Sequence, residues 1–292
     1  MPININEKII TLIRRIILDR ISVTNTTTEQ IILSNQYRLM KKLLTPKDMP
    51  TFSDVGFSSN SQFEEDGILL YIFSLIKTTN KRVVEICAGP GSECMAANLI
   101  LNHGWEALLF DGDENLVAKG KKYFSGFKSL ILNQPKYVHA WITQENINQL
   151  ITDNGFSGPI DLLSLDIDGI DYYLMEKIDV IQPRVIVCET HNIIPDNLSL
   201  TIPYKSNFNH MTGEYPDFMG ASALAMQKLL KKKGYRLIGA NRYGFNVFFM
   251  KNGVGEKYFP AVSIKSIHNN TFTREATIQR WPKVKNLPWV KI

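Results

Sequence analysis

The central part of the chain alternates short apolar segments with segments that can form helices. The apolar segments cover residues 83–87, 107–110, 136–140, 161–165 and 184–188. Nearly continuous apolar strands that alternate with helices are typical of a parallel sheet covered by helices on both faces. The order of the segments therefore predicts a doubly wound α/β domain.

A helix and a hairpin follow these five predicted strands. The segment SALAMQKLLKKKG (222–234) is predicted to be helical, with Gly234 at the position after the helix end that favours a left-handed residue. The apolar segments YRLIGA (235–240) and FNVFFMK (245–251) then flank NRYG, which is a hairpin signal. A hairpin at the end of a parallel sheet makes its last strand antiparallel.

The chain divides into three predicted regions. Residues 1–60 are predicted to be a helical appendage with a polar connector, and residues 61–254 to be the main domain. The main domain opens with Ser61 and Glu64, which have the spacing of a helix capping box. Residues 190–220 form a long irregular segment, which is predicted to be a lid or a substrate wall. Residues 255–292 are predicted to pack on the domain or on a partner subunit.

Charge and composition exclude several classes of function. A net charge of +5 over 292 residues is modest and scattered, so nucleic acid is an unlikely partner. No stretch of about 18 uncharged apolar residues predicts a transmembrane helix. The amphipathic segment 9–21 is expected to pack on its own domain or on a second copy, giving a homo-oligomer through N-terminal helices. The three cysteines lack metal-ligand spacing, which predicts core residues in a cytoplasmic protein.

The first predicted strand runs into a glycine turn in VVEICAGPGSEC, residues 83–94. A strand, a glycine turn and a helix N-terminus place backbone N–H groups at the edge of the sheet where α/β folds bind ligands. The dinucleotide fingerprint needs a third small residue where Cys94 stands, and Glu85 adds an anion inside the strand. The turn therefore favours a cationic ligand over a pyrophosphate. An NAD-dependent oxidoreductase stays open as an alternative.

Several strand ends resemble those of class I S-adenosylmethionine-dependent methyltransferases. The segment EICAGPG resembles motif I of that family, LLFDGDEN resembles its ribose-binding strand end, VHAWIT its adenine-contacting end, and LSLDIDG its motif IV. The resemblance implies a Rossmann-like, seven-stranded, mostly parallel sheet with an antiparallel last strand. It implies S-adenosylmethionine as the cofactor, bound by Glu85, Ala88, Gly89, Gly91, Asp111, Gly112, Asp113, Trp141 and Asp166.

A narrower resemblance concerns the segments SQFEEDGIL, ANLILNHGW and LLSLDIDGIDYYL, which are similar to those of FkbM-like methyltransferases. This resemblance implies O-methylation of a hydroxyl on a sugar, a surface glycan or another small molecule. A fold that binds the cofactor without catalysis is a further alternative. For Asp113, a role as helix N-cap is an equally good interpretation.

Acidic residues follow two neighbouring strands at the same predicted edge. Asp166 and Asp168 follow the fourth strand, and Glu189 and His191 follow the fifth. Adjacent strand tips lie about 5 Å apart, so these groups are expected to meet over one site. Asp166 and Glu189 resemble the metal ligands of magnesium-dependent methyltransferases, whereas His191 is suited to act as a base. The predicted catalytic residues are His191, Glu189 and Asp168, with Mg²⁺ or another divalent cation at Asp166 and Glu189, or no metal, as open alternatives.

Overall fold

The computed structural model of the chain describes residues 27–209 and 214–292. Its strands are β1 (Arg82–Ile86), β2 (Glu106–Asp111), β3 (Lys136–His139), β4 (Gly158–Leu165), β5 (Ile181–Glu189), β6 (Leu200–Thr201), β7 (Tyr235–Ala240), β8 (Asn246–Lys251) and β9 (Val290–Lys291). Seven of them form one sheet in the order β3-β2-β1-β4-β5-β8-β7, while β6 and β9 pair separately. Strand β8 is antiparallel to both of its neighbours, and the remaining pairs of the large sheet are parallel. The predicted fold, with its antiparallel last strand, is confirmed.

Helices cover both faces of this sheet. They are α1 (Thr27–Leu43), α2 (Phe52–Val55), α3 (Glu65–Ile76), α4 (Ala97–His103), α5 (Glu114–Ser125), α6 (Ile147–Asp153), α7 (Asp171–Lys177), α8 (Ala223–Lys232), α9 (Ile264–Ile267) and α10 (Thr271–Val284). Successive strand residues point to opposite faces, so Val83 joins the core cluster under α3 and α4 while Val84 joins the cluster under α6 and α8. None of the helices in the described residues is long and apolar enough to cross a membrane.

Helix α1 packs on the main core. The Tyr37 ring meets the Tyr71 ring edge to face, with 4.9 Å between the ring centroids. The side-chain amides of Gln30 and Asn98 exchange two buried hydrogen bonds of 2.8 and 2.9 Å. The outer face of α1 carries exposed apolar side chains, among them Ile32 and Leu39. Self-association through the N-terminal helices stays a prediction, and the amphipathic segment 9–21 lies outside the described residues.

Helix α3 begins at Glu65, so the predicted capping box of Ser61 and Glu64 is wrong. The Glu64 carboxylate instead accepts hydrogen bonds from the backbone N–H and the guanidinium Nε of Arg242. Asp66 stabilises the loop that precedes the helix, because one of its carboxylate oxygens accepts the backbone N–H groups of residues 59–61. The sequence SQFEED therefore joins the start of α3 to the β7–β8 hairpin.

The C-terminal residues hold the long segment after β5 from outside. Strand β9 pairs with β6, which lies within that segment. Arg280 of α10 forms an ion pair with Asp217, and the Trp289 ring meets Phe218 at a centroid distance of 4.7 Å. The extension thus packs on the domain and contacts the long segment after β5.

Candidate active site

The glycine turn after β1 has the backbone that its sequence predicts. Gly89 and Gly91 have φ angles of +57° and +77°, which side chains rarely adopt. A Cβ at Gly91 would also lie 2.8 Å from the Phe124 ring. Cys87 precedes the turn with φ +70° and an exposed side chain, so the prediction of three core cysteines holds for Cys94 and Cys188 and is wrong for Cys87.

Glu85 is a buried residue near the end of β1, before the glycines, and it lines the site. Its two carboxylate oxygens accept the backbone N–H groups of Met95 and Ala96, each at 2.8 Å. Burial raises the pKa of Glu85 to about 7, although these two hydrogen bonds oppose the shift. The carboxyl group therefore fixes the backbone that leads into α4 and occupies its free N–H groups.

Asp111 ends β2 and joins two loops. Its Oδ2 accepts the N–H of Gly89 and its Oδ1 accepts the N–H of Asp113, both at 2.9 Å. Burial raises the pKa of Asp111. Asp113 is exposed and caps α5 by accepting the N–H of Asn115 at 2.7 Å. The structure thus gives Asp113 a capping role, while Asp111 stands directly against the glycine turn.

Trp141 follows β3 and lies over the tip of β2. Its ring is half exposed, and its Nε1–H donates to the backbone oxygen of Ser206 at 2.7 Å. A Cβ at Gly112 would come within 3.1 Å of this ring, so glycine permits the close approach. The predicted wall of residues 190–220 therefore reaches Trp141 across the carboxyl edge of the sheet.

Three carboxyl groups converge at the tips of β4 and β5. Asp166, Asp168 and Glu189 each offer an oxygen atom, and these oxygens lie within 4.8 Å of one another. Burial raises the pKa of Asp166 to about 7, and burial together with the charge of Asp166 raises that of Glu189 well above its usual value. The three carboxyl groups that the sequence places at neighbouring strand ends therefore lie together in the structure.

Asp168 adopts a left-handed backbone with φ +53°. Asp171, the first residue of α7, supports this turn by accepting the N–H groups of Ile167 and Gly169, both at 2.9 Å. This contact is with the preceding loop, so Asp171 closes the loop that presents Asp168 and adds no group to the cluster of three.

His191 is not among the residues that line this site. Its side chain is 6% exposed, and its Nε2 lies 2.8 Å from the backbone oxygen of Asp217, to which it donates. Burial lowers the pKa of His191 to about 4. The predicted role of catalytic base therefore finds no support in this geometry, because the ring is tied into the wall of residues 190–220.

One cavity of about 360 Å³ joins the glycine turn to the carboxyl cluster. Its lining contains the predicted residues Glu85, Ala88, Gly89, Asp166, Asp168 and Glu189. The residues of this lining that the sequence did not predict are Ser61, Gln62, Phe63, Glu65, Cys87, Pro90, Glu93, Cys94, Met95, Ser164, Phe245 and Asn246. Five of these twelve residues precede α3 or belong to the hairpin, and Glu65 begins α3, so distant parts of the chain complete the site.

Asn246 lines this cavity from the hairpin side. Its Nδ2 donates to Glu65 at 2.8 Å, and it pairs with Glu189 across β5 and β8. Its Oδ1 is buried and has no hydrogen-bond partner in the described part of the chain. An unpaired buried carbonyl oxygen is costly, so a bound cation or donor would stabilise it.

Solved structures with a similar fold are methyltransferases. A putative caffeoyl-CoA O-methyltransferase from Staphylococcus aureus is 11% identical, with 77% of this chain and 99% of that chain covered and a TM-score of 0.42. A methyltransferase from Clostridium acetobutylicum ATCC 824 is 10% identical, with 75% and 99% covered and a TM-score of 0.41. The magnesium protoporphyrin IX methyltransferase from Synechocystis PCC 6803 is 11% identical, with 64% and 78% covered and a TM-score of 0.39.

No protein-family model and no curated protein sequence matches the chain.

Proposed function

We propose that the chain is an S-adenosylmethionine-dependent methyltransferase that methylates a hydroxyl group. The observation that carries this proposal is the single cavity that the glycine turn shares with Asp166, Asp168 and Glu189. The turn supplies a place for the cofactor, and the carboxyl groups supply proton acceptors beside it. Calorimetric titration with S-adenosylmethionine and S-adenosylhomocysteine tests the proposal, and folded protein that binds neither would overturn it.

The charge of the cavity favours a cationic cofactor. Six carboxyl groups line it, from Glu65, Glu85, Glu93, Asp166, Asp168 and Glu189. Lysine, arginine and histidine are absent from this lining among the described residues. Such a lining stabilises a sulfonium and disfavours a pyrophosphate. Glu85 also occupies the N–H groups of residues 95 and 96, where a dinucleotide phosphate would bind, which argues against an NAD-dependent oxidoreductase.

Methyl transfer requires the acceptor oxygen to attack the methyl carbon in line with the departing sulfur. A carbon–oxygen bond forms, the carbon–sulfur bond breaks, and the hydroxyl proton must leave. We assign its acceptance to Glu189, supported by Asp168, because both carboxyl groups line the cavity that they share with the glycine turn. The products are a methyl ether and S-adenosylhomocysteine.

The residues of the site fit a divalent cation. Asp166, Asp168 and Glu189 offer oxygen atoms within 4.8 Å of one another, and Mg²⁺ prefers oxygen ligands. These residues would hold the ion, with Asp166 and Glu189 as its predicted ligands. A bound Mg²⁺ would lower the pKa of a hydroxyl that it contacts.

Replacing Asp111 by asparagine is expected to weaken S-adenosylhomocysteine binding by about 10- to 100-fold, since hydrogen bonds to a charged group are lost. By the family resemblance this carboxylate accepts the ribose hydroxyls. Asparagine has the same shape, so the contact with Gly89 can persist. Calorimetry measures the Kd, with the exposed Asp153→Asn variant of α6 as the matched control. An unchanged Kd in Asp111→Asn would remove Asp111 from the cofactor site.

Adding Mg²⁺ to EDTA-treated protein is expected to raise the Tm, because an ion that binds only the folded state stabilises it. The Asp168→Asn variant should lose most of this shift. Asparagine tolerates the left-handed backbone of position 168, so the variant removes a charge without straining the turn. Equal shifts in the two proteins, or none in either, would favour the metal-free alternative.

A sugar or glycan as the acceptor is supported by the resemblance of SQFEEDGIL, ANLILNHGW and LLSLDIDGIDYYL to FkbM-like methyltransferases. This narrower assignment is part of the proposal.

A further inference from the structure

Four aromatic rings form a wall at one side of the cavity, here called the aromatic wall: Phe63, Tyr243, Phe245 and Phe272. The Tyr243 and Phe245 rings are stacked, with an interplanar angle of 10° and a centroid distance of 5.7 Å. Phe63 meets both of them edge to face at 5.1 and 5.0 Å, and Phe272 does so from the rim at 5.3 and 6.1 Å. Phe63 and Phe245 line the cavity.

The aromatic wall is held firmly against the carboxyl cluster. Glu65 accepts the side-chain N–H groups of Asn241 and Asn246 at 2.9 and 2.8 Å, which ties α3 to the hairpin on both sides of Phe245. Asn246 in turn pairs with Glu189 across the sheet. These contacts place the aromatic wall next to Glu189, the proposed proton acceptor.

The rest of the cavity lining is acidic and polar except at the glycine turn and just beyond it, where Ala88, Pro90, Cys94 and Met95 are apolar. Gln62, Asn246 and the six carboxyl groups share the lining with the two aromatic side chains. An acceptor in this cavity must therefore present one apolar face and hydrogen-bonding groups around it. An anionic group on the acceptor would meet only negative or neutral partners, which disfavours phosphorylated and carboxylated compounds.

We propose that Phe63 and Phe245 form the acceptor subsite and bind an uncharged pyranose ring, a proposal that rests on the proposed function. A pyranose has an apolar C–H face that packs on an aromatic ring, and its hydroxyl groups lie around its edge. Its edge hydroxyls face the amide and carboxyl groups, and one of them faces Glu189. A flat aromatic acceptor would leave one of its faces against the carboxylates.

Saturation-transfer NMR in the presence of S-adenosylhomocysteine tests this subsite with defined probes. The neutral probes are the methyl glycosides of glucose, galactose, mannose and rhamnose, and the anionic probes are glucose 6-phosphate and methyl glucuronide. Catechol and tyramine represent flat and cationic acceptors. At least one neutral glycoside is expected to bind, with its strongest signals on one C–H face, and the anionic probes are expected not to bind.

The variants Phe245→Ala and Phe63→Leu are expected to weaken glycoside binding about tenfold, since each removes a stacking ring. Phe245→Tyr keeps the ring and should bind as the wild type does. Calorimetry with S-adenosylhomocysteine should give the wild-type Kd in all three, which shows that they are folded. The subsite is overturned if neutral glycosides do not bind, if both ring-removing variants bind them normally, or if catechol, tyramine or an anionic probe binds better. Failure of the proposed function is distinct, because wild-type protein would then not bind S-adenosylhomocysteine.

Discussion

The Glu189→Gln variant is expected to transfer methyl groups about 10² to 10⁴ times more slowly than the wild type, which is the range for loss of a positioned general base. Glutamine has the shape of glutamate but cannot accept the hydroxyl proton. The Glu189 carboxyl group lies at the end of β5 beside Asp166, where burial and the neighbouring charge raise its pKa. Glu189 is therefore expected to contribute as a proton acceptor. A variant that keeps the shape of its side chain but cannot accept a proton should lose this contribution.

Transfer of a radiolabelled methyl group from S-adenosylmethionine to the best glycoside of the NMR panel measures this rate. The Kd for S-adenosylhomocysteine should stay unchanged, because we place the cofactor at the glycine turn. Glu176→Gln is the matched control, since Glu176 is an exposed glutamate of α7. If Glu189→Gln turned over as fast as the control, the proton would have another acceptor and the assignment of Glu189 would be wrong.

The sheet could be predicted because each strand carries a local signal. Apolar runs between helical segments predict buried parallel strands, and Gly234 has the predicted left-handed backbone, with φ +87°. The residues that meet at the strand ends could be predicted from the order of the strands, since adjacent parallel strands bring their carboxyl ends together at one edge of the sheet. Asp166, Asp168 and Glu189 meet for that reason.

His191 shows where this reasoning fails. Glu189 and His191 both follow the fifth predicted strand, so they were expected at one site with the residues that follow the fourth. Strand β5 ends at Glu189, and the backbone N–H of His191 then bonds to Ala221, away from the sheet. The ring finds its partner at Asp217, which is 26 residues further along the chain. A local pattern cannot predict such a partner.

Phe63 and Phe245 were missed for a similar reason. They lie far apart in the sequence and meet only because Glu64 and Glu65 bind the hairpin at Arg242, Asn241 and Asn246. The segment SQFEED did carry a usable signal, because Glu64, Glu65 and Asp66 are three successive acidic residues. The start of one helix does not require so many, which indicates partners elsewhere in the chain. The capping-box interpretation assigned Glu64 a local role and left Glu65 without one.

Asp161 is a buried carboxylate that stabilises the opposite end of the sheet. Its side chain is fully buried in β4 and forms an ion pair with Arg184 at 2.9 Å. It also accepts the backbone N–H groups of Thr79, Asn80 and Lys81 at 2.8, 2.9 and 2.8 Å. Asp161 thus joins β4 and β5 to the turn that enters β1, far along the strands from the glycine turn.

Replacing Asp161 by asparagine is expected to lower the free energy of unfolding by about 3 to 5 kcal/mol at pH 7, because the ion pair with the partly buried Arg184 is lost and the Arg184 charge is left without its partner. Burial by itself raises the pKa of Asp161, but Arg184 and the three backbone N–H groups outweigh it and hold the pKa below its usual value. A depressed pKa stabilises the folded state above the unfolded pKa of about 3.9, and this stabilisation is lost as the pH falls through the folded pKa. The difference between wild type and variant should therefore shrink below about pH 4.

Urea denaturation at pH 7 and in the acid range measures these differences. The chain offers a matched control in the ion pair of Arg82 and Glu106, which has the same 2.9 Å separation but a half-exposed carboxylate. Glu106→Gln should cost no more than about 1 kcal/mol, because solvent screens exposed pairs. Equal losses in the two variants would mean that burial does not set the contribution of Asp161. A pH-independent loss in Asp161→Asn would point to the shape of the side chain instead of its charge.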